Sequence, residues 1–291
     1  MWAVHQVHHN GEYYNLGIAT RESIFGKVAT IIVYLPLALL FDPAIFIVFR
    51  QFNLIYQFWL HQEIVGKLGW FEYVFNSPSQ HRVHHGRNAY CIDKNYGGML
   101  CVFDRMFGTF QEEIEEIPVV YGLTTSIDSY DPLYVNYVGF INIWNSMKVA
   151  KGFDKLKVPF KSPGWIPGTN ECYPIPPVTK NSFKPYSPRL PAVPKLLIVF
   201  ELFFIFACCE YRPLFRGFVA DSFIWNNLLS ICCLFSVWAI SLIAERKSFA
   251  IKIQIPTVLT WVALFAIRSY HFYRTTPLLF LTQFTNYIHF F

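Results

Sequence analysis

Residues 28–61 read VATIIVYLPLALLFDPAIFIVFRQFNLIYQFWLH, and this stretch decides how the chain is arranged. It holds two apolar runs, 28–41 and 44–60, separated by Asp42-Pro43. Asp-Pro favours a turn, because proline disfavours the helical conformation for the residue before it. Each run is shorter than the roughly 20 residues of a full membrane crossing. The pattern therefore predicts a helical hairpin that dips into a bilayer and returns, in preference to one long kinked helix.

The hairpin determines which parts of the chain can meet. It returns the chain to the membrane face that it left, so residues 1–23 and the region after His61 share one side. A single crossing would separate them by a hydrocarbon core of roughly 30 Å, and no shared site could form. The sequence therefore predicts a site that combines both regions.

A polar stripe follows the second run of the hairpin. Its members recur at intervals of three, four and four residues: Arg50, Asn53, Gln57 and His61. Polar side chains at membrane depth normally face a protein interior or a wet cavity. The alternative is an interfacial helix with an ordinary polar side. We expect the stripe to face inward, with Asn53 and Gln57 supporting a ligand from behind.

The composition is typical of a membrane protein with aqueous loops. Of the 291 residues, 54% are hydrophobic and only 15% are charged, against roughly 25% charged in soluble domains. This hydrophobicity excludes a disordered chain and disfavours an ordinary soluble enzyme. Lys and Arg total 24 against 19 acidic residues, too few for the basic surface of a nucleic-acid-binding module. Seven cysteines without C-x-x-C spacing predict no complete disulfide framework and a reducing compartment.

We predict an all-α, multi-pass membrane protein with three regions. They are a catalytic region, a Pro-rich cytosolic linker and C-terminal transmembrane helices, at 1–135, 136–193 and 194–291. The candidate helices of the last region are 194–209, 222–244 and 253–268, and a short apolar segment follows at 278–291. Loops rich in lysine and arginine usually lie on the cytosolic side of a membrane. Lysines precede the C-terminal block and Arg246-Lys247 follow its second helix, so both of these chain segments are predicted to lie in the cytosol. The acidic run at 112–116 is predicted to be a solvated face.

Two copies of H-x-x-H-H are the most specific signal in the chain. Residues 5–9 read HQVHH and residues 81–85 read HRVHH. Offsets of three and four share one face of a helix, so each copy directs its histidines into one space. Imidazole suits iron, zinc, copper and nickel, and iron uses positions left open for O₂. We therefore predict two iron ions held by seven histidines: His5, His8, His9, His61, His81, His84 and His85.

The remaining candidates carry less specific signals. His61 ends the striped run and is predicted to be a metal ligand, with a packing role as the alternative. Glu12 follows His9 by three residues and is a candidate for orienting a ligand imidazole, with a solvated charge as the alternative. His271 and His289 stand alone in apolar surroundings and are predicted to be structural or interfacial.

These residues resemble the fatty acid hydroxylase/sterol desaturase superfamily of membrane di-iron oxygenases. Within it they are most similar to a branch that cleaves ether lipids with tetrahydrobiopterin. The stretches that carry the resemblance are 2–9, 14–16, 53–61, 78–96, 107–110, 120–124 and 164–168.

The resemblance implies an activity, its cofactors and a location. O₂ and the reduced pterin would hydroxylate the carbon next to the ether oxygen of alkylglycerols and their lyso-phospholipid relatives. The products would be an aldehyde and a glycerol derivative. The resemblance also implies the endoplasmic reticulum membrane, with membrane lipids around the chain and the histidine clusters facing the cytosol. It admits a pterin-recycling reductase as a partner.

The sequence departs from that branch at three places. The H-x-x-x-H motif expected shortly before Trp2 is absent, which predicts an N-terminally truncated chain that lacks two ligands. Such a chain alone is expected to bind fewer than two irons and not to turn over alkylglycerol. Gln80 stands where another histidine is expected, and Asn10-Gly11 replaces two small hydroxyl residues. Two alternatives stay open: a sterol or fatty-acyl hydroxylase or desaturase of the same superfamily, and a non-catalytic membrane protein that kept the fold.

Overall fold

The computed structural model describes residues 1–211, 223–264, 266–267 and 270. Every regular element in these ranges is a helix, and the β pairings found there are three isolated bridges, so the all-α prediction is confirmed. The α-helices are α1 Trp2–His9, α2 Gly26–Tyr34, α3 Pro43–Leu60, α4 Pro78–His85, α5 Val102–Phe107, α6 Pro132–Val149, α7 Asp154–Lys157, α8 Ala192–Tyr211, α9 Phe223–Ala244 and α10 Ala250–Leu264. Short 3-10 helices are Leu16–Thr20, Leu35–Leu39, Gly69–Tyr73, Ala89–Cys91 and Val158–Phe160.

The chain forms two compact units. Unit 1 comprises residues 1–129 and 134–186, and unit 2 comprises 130–133 and the chain from 187 onward. Unit 1 contains α1 to α5, α7 and most of α6, whereas α8, α9 and α10 belong to unit 2. The functional boundaries predicted after residues 135 and 193 stay predictions.

The predicted turn at Asp42-Pro43 separates α2 and its 3-10 extension from α3. The Asp42 carboxylate accepts a hydrogen bond from the backbone N–H of Ala44 at 2.7 Å, and Pro43 occupies the first turn of α3. The Tyr34 and Phe46 rings contact each other across the turn, with centroids 5.7 Å apart. At the far end of α3 the Tyr14 hydroxyl donates to the Leu60 carbonyl at 3.2 Å. The chain therefore leaves residues 1–23 and returns to them.

A small apolar core holds the segments around α4 together. Val83 is fully buried in a cluster with Tyr14, Ile18, Cys91, Val119 and Tyr121. Helix α6 packs closely on α1 at Gly139, where a Cβ would overlap the Gln6 amide and the backbone of Ala3. These contacts set the positions of α1 and α4, which carry the two histidine motifs.

Unit 2 contains the predicted C-terminal helices. The predicted spans 194–209 and 222–244 match α8 and α9, and 253–268 overlaps α10. Within the described ranges, one helix is long and apolar enough to cross a membrane, at Asn227–Ala244. The buried indole N–H of Trp261 donates to the Ser236 hydroxyl at 2.6 Å. The predicted segment 278–291, with His271 and His289, lies outside the described residues.

One member of the acidic run 112–116 corrects the prediction of a solvated face. Glu113 forms a two-pronged ion pair with Arg82, at 2.8 Å from Nε and 2.6 Å from Nη2. The Arg82 side chain is only 8% exposed, and it also donates to the carbonyls of Gln62 and Val65. The ion pair ties α4 to the segment that follows α5, and the two Arg82 hydrogen bonds to carbonyls tie α4 to the segment that follows α3. A contact across 31 residues has no local sequence signal.

We expect Glu113→Ala to lower the free energy of unfolding by about 3 kcal/mol, because it leaves the Arg82 guanidinium buried without its counter-charge. The matched control is Glu116→Ala, which changes an exposed neighbour and should stay within about 0.5 kcal/mol of the parent. Chemical unfolding of the purified protein in detergent measures both. Equal stability of the two variants would show that the ion pair contributes nothing.

Candidate metal centre

Three separate segments bring seven histidines to one place in unit 1. Helix α1 carries His5, His8 and His9, and α4 carries the second motif. His61 is the C-cap of α3, the first residue beyond the hairpin. The return of α3 to Tyr14 therefore delivers His61 between the two motifs.

Local sequence explains why the second motif is helical. The Ser77 hydroxyl accepts a hydrogen bond from the Gln80 N–H, and Pro78 stands in the first turn. Serine before proline is a strong helix start, since the side chain caps a free N–H and proline needs none. Gly86 follows the last histidine, and a Cβ there would collide with Cys91 and Val119. The motif is thus held on one short, tightly packed helix.

Four histidines form a buried group around His61. The Nε2 atom of His61 lies 3.1 Å from the Nε2 atoms of His8, His81 and His85. With metal–imidazole bonds of about 2.1 Å, neighbouring nitrogens are about 3.0 Å apart in octahedral and about 3.4 Å in tetrahedral geometry. These separations suit one shared cation. We call this set, His8, His61, His81 and His85, the four-histidine group.

The other three histidines form a second group. His5, His9 and His84 have ring nitrogens within 4.8 Å of one another, and His5 is exposed. The Nε2 atoms of His5 and His9 are 2.9 Å apart. The Nδ1–H of His84 donates to the Lys94 carbonyl at 3.1 Å, which leaves its Nε2 free for the group. We call this set the three-histidine group.

The two groups adjoin each other. The ring of His9, in the three-histidine group, stacks on that of His85, in the four-histidine group, at 4.3 Å with an interplanar angle of 19°. Each of the two sequence motifs contributes histidines to both groups. The His8 and His85 rings are 4.6 Å apart. The motifs therefore converge, as the hairpin predicts, and adjacent histidines of one motif point to different groups.

Burial keeps these imidazoles neutral. Burial, together with the charge of neighbouring imidazoles, lowers the pKa of His8 to about 3 and that of His61 to about 4. Burial also lowers the pKa of His81 and His85 well below the usual value of 6.5. A metal ion binds the neutral form of imidazole, so the cluster is prepared for a cation at neutral pH.

The same shifts predict acid sensitivity. The pKa values of His8 and His61 in the folded chain are about 3 and about 4, below the usual value of 6.5. Between pH ~4 and pH ~6.5 the unfolded chain therefore binds more protons at these two residues than the folded chain does. The stability that the neutral groups contribute is complete above pH ~6.5 and declines as the pH falls toward ~4. Thermal unfolding from pH 7.5 to pH 4.5 in the absence of metal measures this. In His8→Gln/His61→Gln the pH dependence should shrink, and an unchanged slope would contradict the assignment.

The residues of the polar stripe that are predicted to support a metal ligand have different surroundings in the structure. The Gln57 backbone carbonyl accepts the Nδ1–H of His61 at 2.6 Å and directs Nε2 into the group. The Gln57 side chain instead donates to the Gly98 carbonyl, and Asn53 lies beside Gly98 as well. Arg50 is exposed, which corrects the expectation of an inward-facing stripe at that position.

Glu12 lies away from the imidazoles that it is predicted to orient. Its carboxylate accepts the backbone N–H of Tyr186 at 2.6 Å, next to the Arg87 guanidinium. No hydrogen bond between Glu12 and a histidine is found in the described part of the chain. Its position therefore indicates a role in fastening the 182–186 segment.

Two stacked tyrosines pack beside the four-histidine group, and the sequence alone does not predict this contact. Tyr14 packs against His61 and His85, and its other face stacks on Tyr121 at 4.5 Å. The Tyr121 hydroxyl donates to Glu63 at 3.1 Å. Tyr14 and Tyr121 are 107 residues apart, so only the folded chain reveals the pair.

The donor chemistry fits iron or another borderline transition metal. All seven donors are imidazoles, which suit Fe, Zn, Cu and Ni, and no cysteine or carboxylate joins either group among the described residues. A neutral imidazole nitrogen offers one lone pair or one N–H, so the Nε2 atom of His61 cannot satisfy all three of its neighbours at 3.1 Å, whereas one cation could bind all four nitrogens.

A helical protein with this histidine pattern is similar to the fatty acid hydroxylases, whose family model matches residues 1–109. Curated proteins named alkylglycerol monooxygenase are also similar to this chain. The Danio rerio protein is 38% identical over 262 residues, covering 87% of this chain and 57% of that protein. The Homo sapiens protein is 50% identical over 169 residues, covering 58% and 38%. The Xenopus tropicalis protein is 48% identical over 193 residues, covering 65% and 43%.

These findings confirm the resemblance and set its extent. The chain spans about half the length of the curated relatives it matches, with 57% of the Danio rerio protein and 38% of the Homo sapiens protein covered. The matched 1–109 region contains all seven clustered histidines. No solved structure matches the chain.

Proposed function

We propose that this chain carries the metal centre of a membrane monooxygenase that cleaves the ether bond of alkylglycerols with O₂ and tetrahydrobiopterin. The observation that carries the proposal is the convergence of seven histidines in two adjoining groups. Relatives named alkylglycerol monooxygenase supply the substrate class.

The residues of the two groups would hold two iron ions. The four-histidine group would hold one ion in a buried position, and the three-histidine group a second ion nearer the surface. Bound iron would supply the redox chemistry by which O₂, with two electrons from the pterin, hydroxylates the ether-linked carbon. The resulting hemiacetal splits into an aldehyde and a glycerol derivative, while the second oxygen atom leaves as water.

The protein contributes orientation and charge. The Gln57 and Lys94 carbonyls hold His61 and His84 in the tautomer that leaves Nε2 free. Neutral histidines would leave the positive charge of a bound metal ion uncompensated by the protein. Tyr14 and Tyr121 close one side of the buried group with aromatic rings.

The surface of the chain supports a membrane location for this chemistry. Leu39 and Leu40 at the hairpin turn are 88% and 74% exposed, a large apolar area to leave in water. The apolar helix Asn227–Ala244 adds a candidate crossing. We propose a multi-pass protein of the endoplasmic reticulum membrane whose histidine groups face the cytosol, where lipid substrate enters from the bilayer. A pterin-recycling reductase is the partner that such a reaction requires for continued turnover.

Turnover by the membrane-embedded protein tests this proposal. An iron-loaded full-length form that also carries the H-x-x-x-H motif is incubated with a long-chain alkylglycerol, O₂ and tetrahydrobiopterin, and fatty aldehyde is measured. We expect aldehyde that depends on all three, and none when an ester-linked acylglycerol replaces the ether. Hydroxylation of a sterol or a fatty acyl chain without ether cleavage would favour the other branch of the superfamily. Iron binding without any oxidation would indicate a non-catalytic homologue.

A further inference from the structure

A second exposed surface of unit 1 combines apolar and basic side chains. It surrounds α7, between the last turns of α6 and the 3-10 helix Val158–Phe160. Five large apolar side chains there are between 59% and 89% exposed: Trp144, Val149, Phe153, Leu156 and Phe160. Five exposed lysines accompany them: Lys148, Lys151, Lys155, Lys157 and Lys161. We call these ten residues the basic–aromatic face.

The face is strongly positive. Its stretch holds five lysines and one acid, Asp154, which gives five minus one, a net charge of +4. Asp154 pairs with Lys157 at 2.8 Å. No carboxylate pairs with the other four lysines among the described residues. The positive charge is therefore available to an external partner.

The face is also an ordered part of the fold. Ala150 is 2% exposed, and its N–H donates to the Ser146 carbonyl at 3.0 Å. Helix α7 continues directly into the 3-10 helix, and the Lys161 N–H donates to the Lys157 carbonyl at 3.0 Å. Offsets of three and four place Phe153, Leu156 and Phe160 along one side of this helical stretch. The apolar side chains therefore project together.

The lysines lie beside the aromatic rings. The Lys148 ammonium is 5.7 Å from the centre of the Trp144 ring, and the Lys161 ammonium is 5.6 Å from that of Trp165. Aromatic and apolar groups flanked by lysines suit the boundary between acyl chains and phosphates, because rings enter the apolar layer while ammonium groups reach the phosphates.

We propose that the basic–aromatic face docks on a bilayer leaflet rich in anionic phospholipid. Charge complementarity selects this partner, since each lysine near an anionic surface strengthens binding about 5-fold. A second copy of the chain would oppose +4 with +4 across the same face, which disfavours self-association. The proposal rests on the membrane location proposed above but not on the metal centre, so a failure of ether cleavage leaves it unaffected.

Hydrogen exchange of the full-length chain in lipid nanodiscs tests this docking. The protein is inserted into discs of phosphatidylcholine alone or with added phosphatidylserine, and exchange is followed for amides 149–161. We expect exchange to be several-fold slower with phosphatidylserine, and the difference to diminish at high salt. The variant Lys151→Gln/Lys155→Gln/Lys157→Gln/Lys161→Gln should lose the difference. The matched control Lys180→Gln/Lys184→Gln removes exposed lysines outside the face and should keep it.

Three results would overturn the proposal. The first is equal exchange in the two kinds of disc, and the second is a difference that survives in the quadruple variant while its circular dichroism matches the parent. The third is protection that rises with the number of chains per disc in phosphatidylcholine alone, which would assign the face to a second copy. Phe153→Ser/Phe160→Ser provides a second check, because it should raise exchange of the segment in the phosphatidylserine discs without removing charge, and unchanged exchange there would count against docking.

Discussion

In a full-length form, replacing His61 with alanine should abolish ether cleavage and remove iron from the four-histidine group. His61 is the shared neighbour of His8, His81 and His85, each at 3.1 Å, so the variant removes the centre of the arrangement. Loss of a residue that merely orients a ligand weakens metal binding by about 10- to 100-fold, and loss of the ligand itself should weaken it by at least ~100-fold. Iron content after dialysis and aldehyde formation measure the two effects.

Two controls separate ligation from packing in that experiment. Gln62→Ala alters the next residue, whose side chain donates to the Trp59 carbonyl outside the cluster, and should leave iron content unchanged. His271→Ala removes a histidine predicted to be structural or interfacial, and turnover should change little. Full activity of the His61 variant would instead assign this residue to packing.

Separate replacement of His81 and of His84 should distinguish iron binding by the four-histidine group from iron binding by the three-histidine group. His81→Ala removes a fully buried member of the four-histidine group, whereas His84→Ala reduces the three-histidine group to two. We expect the full-length parent to bind iron in a tight and a weaker phase, since four buried donors hold an ion more firmly than three donors of which one is exposed. His81→Ala should lose the tight phase, by at least ~100-fold in affinity. His84→Ala should lose the weaker phase alone.

Turnover should fail in both variants, because the reaction is proposed to need both ions. Anaerobic titration of the metal-free protein with ferrous iron in an isothermal titration calorimeter resolves the two binding phases. Identical loss of both phases in the two variants would show that the seven histidines form one indivisible site.

Local signals predicted the parts of the site that depend on neighbours in sequence. Ser77-Pro78 predicts the start of α4, and Asp42-Pro43 predicts the turn before α3, because caps and prolines act within one helical turn. The hairpin then predicts that two motifs 76 residues apart converge. Spacing of three and four further indicates that adjacent histidines diverge, and His8 and His9 indeed enter different groups.

Sequence reasoning did not predict roles that depend on where the folded chain places a residue or on which of its atoms makes the contact. Glu113 is one of several similar glutamates, and only its position opposite Arg82 makes it a buried partner. Glu12 follows His9 at helical spacing, but α1 ends at His9 and the chain turns toward Tyr186. Gln57 supports His61 through its carbonyl, a group that every residue carries and no side-chain pattern reveals.

X-ray absorption at the iron edge of the purified, iron-loaded protein tests the proposed metal centre most directly. Ligation by the seven clustered histidines predicts nitrogen scatterers near ~2.1 Å, together with the outer-shell multiple scattering of several imidazole rings per iron. Both signals should diminish in His61→Ala. A spectrum dominated by sulfur, or by oxygen without imidazole scattering, would contradict a histidine-bound iron centre.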